Sequence, residues 1–168
     1  MSVSMYHFCI PTLTRMLNNI SRIIDKAAAH CAAHKLDPQV VINSRLAVDM
    51  FPFSRQIQIM TDQAKGIGAR LAGVENPSYA DAEVTFDDLK ARIAKTIAFL
   101  ETLKPEQFIG AEDRDITLKA GGNELRFKGL QYVSNFGFPN FFFHATTAYD
   151  ILRHLGFDLS KRDFNGPH

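Results

Sequence analysis

Few side chains in this sequence are placed to do chemistry together, and the clearest of them is His144. It lies in FPNFFFHATTAYDILRHLG, residues 138–156. An imidazole there can serve as a metal ligand, a proton acceptor or a core residue with a hydrogen-bond partner. Stepped at 100° per residue, Val133, Gly137, Ile151 and Leu155 fall within about 20° of His144, and Leu130, Asn140 and Ala148 within about 40°. The imidazole therefore faces a bundle interior, with Asn140 one turn before it on the same side. On an earlier helical segment Asp49, Gln56 and Gln63 form a polar row beside Phe53 and Met60. Polar seams between facing helices are where bundle proteins build sites. A buried imidazole also needs a partner for each nitrogen, and Asp49 or Gln56 is expected to supply one. Asp49, Gln56, Asn140 and His144 are thus the candidate ligand-binding residues, with His144 and Asp49 as the candidate catalytic pair. The commoner role of a lone histidine on an apolar helix face is a core side chain held by one carboxylate or carbonyl.

The remaining titratable residues point to less. His30 and His34 have i, i+4 spacing but lie off the apolar face, beside a helix end, where a pair can take up zinc or nickel opportunistically. His7 also lies off the apolar face, and His168 is terminal. His154 sits near a helix C-terminus, where it favours the negative pole of the helix dipole. Tyr149, Thr146 and Thr147 read as packing or backbone-bonding residues. Cys9 and Cys31 fall on one apolar helix face without CxxC spacing, which predicts buried free thiols. Glycine-rich phosphate loops, HExxH and GxSxG are absent.

Four apolar-periodic segments must position these residues. The first runs through Tyr6, Cys9, Leu13, Leu17, Ile20, Ile24, Ala27 and Cys31, with Pro11 near its start and a turn at Leu36-Asp37-Pro38 beyond it. The second carries Leu46, Met50, Phe53, Ile57, Met60, Ala64, Ile67 and Leu71. Asn43 or Ser44 can cap it, Gly73 can close it, and Pro52 marks a kink or its true start. Thr85, followed by Asp87 and Asp88, opens the third, which carries Phe86, Leu89, Ile93, Ile97 and Leu100 and ends at Lys104-Pro105. DITLKAGGNELRFK, residues 115–128, alternates about a glycine pair and predicts a β-hairpin lying against the helices. The fourth helix spans roughly 129–155, with Pro139 inside it, and the tail after Gly156 reads as irregular. The expected fold is all-α: one domain over 1–168, a four-helix bundle with a short hairpin before the last helix.

Composition narrows the function. A net charge of +1 with 22% charged residues gives no reason to expect nucleic acid as a partner. No apolar run is long enough to cross a membrane and the start of the chain lacks a signal-peptide pattern, so a cytoplasmic protein is expected. Phe, with 14 copies, is over-used. Phe141, Phe142 and Phe143 cannot all face one core, because successive residues turn by 100°. At least one is expected to meet another surface, which predicts a homodimer.

RLAVDMFPFSRQIQ at 45–58, the Thr85-Phe86 pair, and FPNFFFHATTAYDILRHLG followed by KRDFNG resemble an uncharacterised bacterial family built on a domain of unknown function. That family is a distant relative of the DinB-like superfamily. The resemblance covers nearly the whole chain and implies a DinB-like four-helix bundle, commonly dimeric. Relatives in the superfamily resemble metal-dependent thiol transferases and hydrolases that hold a divalent metal with three histidines, one on the second helix and an HxxxH pair on the last. Here that pattern is Asp49, Asn140 and His144, with a single nitrogen donor. Two functions follow. One is a dimeric small-ligand-binding module with a polar pocket around Asp49, Gln56, Asn140 and His144. The other is an enzyme in which Asp49 orients His144 as general base, with or without a weakly held divalent metal.

Overall fold

The computed structural model describes residues 4–167; His168 lies outside them. Helix α1, Met5–His34, runs straight through Pro11 and ends on Lys35, whose φ of 54° is left-handed. Its predicted apolar face is the buried one, from Cys9 through Leu13, Leu17, Ile20, Ile24 and Ala27 to Cys31. Both thiols are free. Burial pushes Cys9 up to about 12 and raises Cys31 as well, so neither is poised as a nucleophile. The expected turn at residues 36–38 is more than a turn: the Asp37 carboxylate accepts from the Gln39 N–H at 2.9 Å and caps a short helix α2, Pro38–Ile42.

The second long helix, α3, spans Phe53–Ala72 and starts eight or nine residues later than a cap at Ser44 or Asn43 would have placed it. Pro52 decides this. Inside a helix its ring would collide with the carbonyl of residue 48 and its missing N–H would orphan it, so the helix begins just after Pro52. Ser44 closes the entry turn instead, its carbonyl accepting the Phe53 N–H at 2.8 Å. Leu46 and Val48, upstream of the helix, are exposed, while Phe53, Ile57, Met60, Ala64, Ile67 and Leu71 form the buried stripe.

Helix α4, Phe86–Thr102, has the predicted reciprocal cap: Thr85 Oγ1 accepts from the Asp88 N–H and the Asp88 carboxylate accepts from the Thr85 N–H, at 3.1 and 2.9 Å. A single 3-10 turn, Pro105–Phe108, leads to strands β1, Asp115–Ala120, and β2, Asn123–Lys128. They pair antiparallel with Ile116 opposite Phe127 and Leu118 opposite Leu125. Gly121 and Gly122 form the two-residue turn with φ of 56° and 80°, as a right-twisted hairpin needs. Ile116 is buried, and the Phe127 ring lies against Tyr132 and Phe136, which anchors the hairpin on the bundle.

The last long helix is continuous from 129 to 154 but not uniform. Helix α5, Gly129–Tyr132, passes into a π-helical turn, Val133–Gly137, and then into α6, Phe138–His154. Gly129 is required where the chain enters, since a Cβ there would stand 1.8 Å from the Ala111 carbonyl oxygen. The wide turn sits just ahead of Pro139, where a regular helix would be a hydrogen bond short. It also corrects the helical wheel. Val133, Gly137 and Ile151 are buried as expected, but Leu130, upstream of the extra residue, is rotated outward and 53% exposed. Leu155, just past the helix end, is also exposed. The tail is not wholly irregular: α7, Lys161–Asn165, carries its own Ser160–Asp163 capping box, and the buried Asn19 amide donates to the Phe164 carbonyl at 2.8 Å.

In the bundle α3 packs mainly on α6 and α4, while α1 packs on α4 and carries α7. A buried guanidinium ties α3, α4 and the 73–85 loop together. Arg92 donates to Thr61 Oγ1, the Gln58 and Ala80 carbonyls, Asp62 and Glu83, so all five N–H groups are used. No helix among the described residues is long and apolar enough to cross a membrane.

Candidate functional site

His144 on α6 meets Gln56 on α3, its Nδ1 2.6 Å from Gln56 Oε1. Both side chains are buried, at 9% and 1% exposure. Which way the Gln56 amide points is settled by its other end. Gln56 Nε2 donates to the Phe51 carbonyl at 3.0 Å, which leaves Oε1, an acceptor only, for the imidazole. Nδ1 must then carry the proton, and in the neutral ring Nε2 is a bare lone pair. The Phe51 carbonyl is available because it lies one residue before the carbonyl of Pro52, the first to accept a helical bond, from the Gln56 N–H at 3.0 Å. Pro52 thus fixes the helix start, the helix start frees a carbonyl, and the carbonyl fixes the imidazole.

The imidazole is held neutral. Burial first, and then the Arg55 guanidinium nearby, lower its pKa from 6.5 to about 4. An Asp–His pair would have moved it the other way. Asp49, expected on the helix one heptad before Gln56, lies instead in the turns ahead of Pro52, exposed to solvent. It makes no hydrogen bond to His144, and Gln56 takes the orienting role. Asn140 is one turn before His144, as expected, but its amide Nδ2 is spent on the Phe136 carbonyl at 2.7 Å. Gln63 is only half-buried on α3. The structure therefore joins two of the four candidates, Gln56 and His144, and turns the other two elsewhere.

These residues do not fit a three-histidine metal centre. They supply one imidazole nitrogen, one neutral amide bonded through its NH2, and a carboxylate outside the helix that would have to present it. Among the described residues no group of three or more His, Cys, Asp or Glu side chains is gathered for a metal ion. His30 and His34 stack ring on ring at 4.0 Å with no third donor beside them.

Three participants were not singled out in the sequence. Arg55 is one, flanking Gln56 and lying over the Phe51 ring with its Cζ 6.0 Å from the centroid. The second is the Phe51 carbonyl, which carries no side-chain signal at all. The third is Arg92, whose position between Leu89, Ile93 and Thr96 on a buried face was a legible sign. A cleft of about 360 Å3 lies along Tyr79, Ala80, Glu83, Asp88, Arg92 and Lys95, and none of the four candidate residues lines it.

Residues 5–165 match the family model DUF1993, a domain of unknown function. The chain belongs to the DUF1993 family. Its fold is also that of a solved relative, the crystal structure of a DinB family member protein from Shewanella denitrificans. That protein is 37% identical, with a TM-score of 0.88, over 97% of this chain and 92% of the other. This DUF1993 chain is therefore a DinB-like helical bundle, as its long motifs implied. No curated protein matches it.

The depressed His144 pKa has a thermodynamic signature. As pH falls through 6.5 the unfolded chain takes up a proton on this residue, which the native state refuses until about pH 4. Over that window the unfolded state binds more protons, so stability drops as pH drops; above it the group contributes no slope. Urea unfolding of wild type and His144→Leu at intervals from pH 4 to 8 should show wild type losing stability relative to the variant below pH 6.5, and parallel behaviour above. The same relative stability at every pH would mean that the imidazole titrates normally in the native state.

Proposed function

We propose that this protein is a homodimeric small-ligand-binding module, in which His144 Nε2 is the hydrogen-bond acceptor that reads the ligand. One observation carries the reading: the Phe51–Gln56–His144 chain of hydrogen bonds, which commits Nδ1–H and leaves Nε2 without a protein partner among the described residues. A neutral imidazole pinned in one tautomer is a preorganised acceptor for a ligand hydroxyl, amine or amide N–H. It is a poor general base, because a pKa near 4 lies far below working pH. For that reason binding is favoured over the hydrolase or thiol-transferase reading, which needs a basic imidazole or a metal. Phe51, 55% exposed and lying just before α3, offers apolar surface to a ligand body.

Support for the dimer comes from the phenylalanine run. Phe141 is buried and Phe142 packs edge-on against Phe138 and Phe141, which leaves Phe143 facing out. Phe8 on α1, 45% exposed, extends aromatic surface from Phe138 at 5.4 Å. A second copy is the occupant assigned to these rings. Sedimentation equilibrium should give a dimer, with Phe8→Ser/Phe143→Ser shifted to monomer; a monomeric wild type would remove this half of the reading.

The ligand half is tested with benzyl alcohol, a small apolar body with one hydroxyl donor, on protein carrying 15N-labelled histidine. Nε2 of His144 should shift on titration while Nδ1 holds, and His144→Phe should abolish binding. No change at Nε2 up to the solubility limit of the alcohol would overturn the site.

A further inference from the structure

Arg55 has a half that the fold leaves unspent. Its guanidinium carries five N–H donors, and only Nη1 is engaged, with the Asp81 carboxylate and with Gln58 Oε1 at 3.1 Å. The Nε–Nη2 edge has no acceptor among the described residues, and the side chain is 36% exposed. Arg92 shows the contrast, with every donor used and 2% of its side chain exposed. Asp81 does not neutralise Arg55 alone, since its other oxygen stands 3.1 Å from Arg92 Nη1. That edge is the one that receives a carboxylate side-on through two parallel hydrogen bonds.

The charge of Arg55 acts on His144, where it lowers the pKa after burial does. Arg55 directly precedes Gln56 on α3, and its guanidinium lies over the Phe51 ring, 6.0 Å from the centroid. The Phe51 carbonyl holds the Gln56 amide, and the Gln56 amide holds His144. These groups thus present a cation with a free fork, a neutral acceptor nitrogen and an exposed aromatic ring. Asp81, the carboxylate beside Arg55, is already engaged twice.

We propose that the Nε–Nη2 edge of Arg55 binds the carboxylate of the ligand whose hydroxyl or amine donates to His144 Nε2. The ligand class is a small carboxylic acid with an apolar body and a hydrogen-bond donor near the acid. This rests on the reading of His144 as ligand acceptor and adds the anion site to it. Such an anion also offsets the guanidinium's field at the imidazole, so its binding should raise the His144 pKa toward its ordinary value.

Mandelate is the probe, because it is benzyl alcohol with a carboxylate added. In wild type it should bind about tenfold more tightly than benzyl alcohol, as a charge-assisted bidentate contact implies. That advantage should shrink as salt is raised. Arg55→Gln should remove the advantage and keep benzyl alcohol binding, which also reports that the variant's site is intact; Arg55→Lys should restore part of it. Mandelate binding no tighter than the alcohol in wild type, or an advantage surviving in Arg55→Gln, would overturn the anion site and leave the His144 reading standing. If neither probe moves His144 Nε2, both fall together.

Discussion

The orientation of one amide governs this site. Gln56 reaches two partners at once, giving its NH2 to the Phe51 carbonyl and its oxygen to His144. Neither contact can be exchanged for the other, because a carbonyl only accepts and an amide NH2 only donates. The imidazole tautomer follows without a charged group anywhere in the chain of bonds. A carboxylate in the place of Gln56 would lose the bond to the Phe51 carbonyl, since it has no N–H to give, and would pull His144 toward the imidazolium as an acid–base pair. The neutral amide, together with burial, keeps an acceptor where a relative with an acidic partner would keep a base.

The wider fold serves that placement. Pro52 starts α3 where the Phe51 carbonyl stays outside the helical ladder. The π turn at Val133–Gly137 carries the last helix past Pro139 and sets the face on which His144 meets α3. Arg92 ties α3, α4 and the 73–85 loop together, and through Asp81 the same loop holds one side of Arg55. The DinB-like bundle is thus retained, while Asn140 binds the Phe136 carbonyl, His144 binds Gln56 and Asp49 faces solvent. Chemistry is set by those side chains and not by the fold.

Much of the architecture was legible because it is written in period. Cys9 to Cys31, Phe53 to Leu71 and Phe86 to Leu100 repeat at helical spacing, and the Thr85 cap and the Gly121-Gly122 turn have local chemistry that admits few alternatives. His144 facing inward was legible for the same reason. The heptad row Asp49–Gln56–Gln63 misplaces Asp49 because it runs across Pro52, which marks the true start of the helix and not a kink within it. Its backbone cost outweighs the side-chain pattern there. The outward turn of Leu130 was hidden because an inserted π residue leaves no mark on composition. The Phe51 carbonyl and the free edge of Arg55 depend on which hydrogen bonds are already taken, and that is a property of the assembled chain.

The central claim is that native His144 is neutral, with its proton on Nδ1 and Nε2 bare. Long-range 15N–1H correlation of the imidazole at pH 7, with His144 assigned by its loss in His144→Leu, measures this directly. The account predicts a protonated Nδ1 and an unprotonated Nε2, unchanged down to pH 5. A ring protonated at both nitrogens at pH 7, or one with its proton on Nε2, would contradict it.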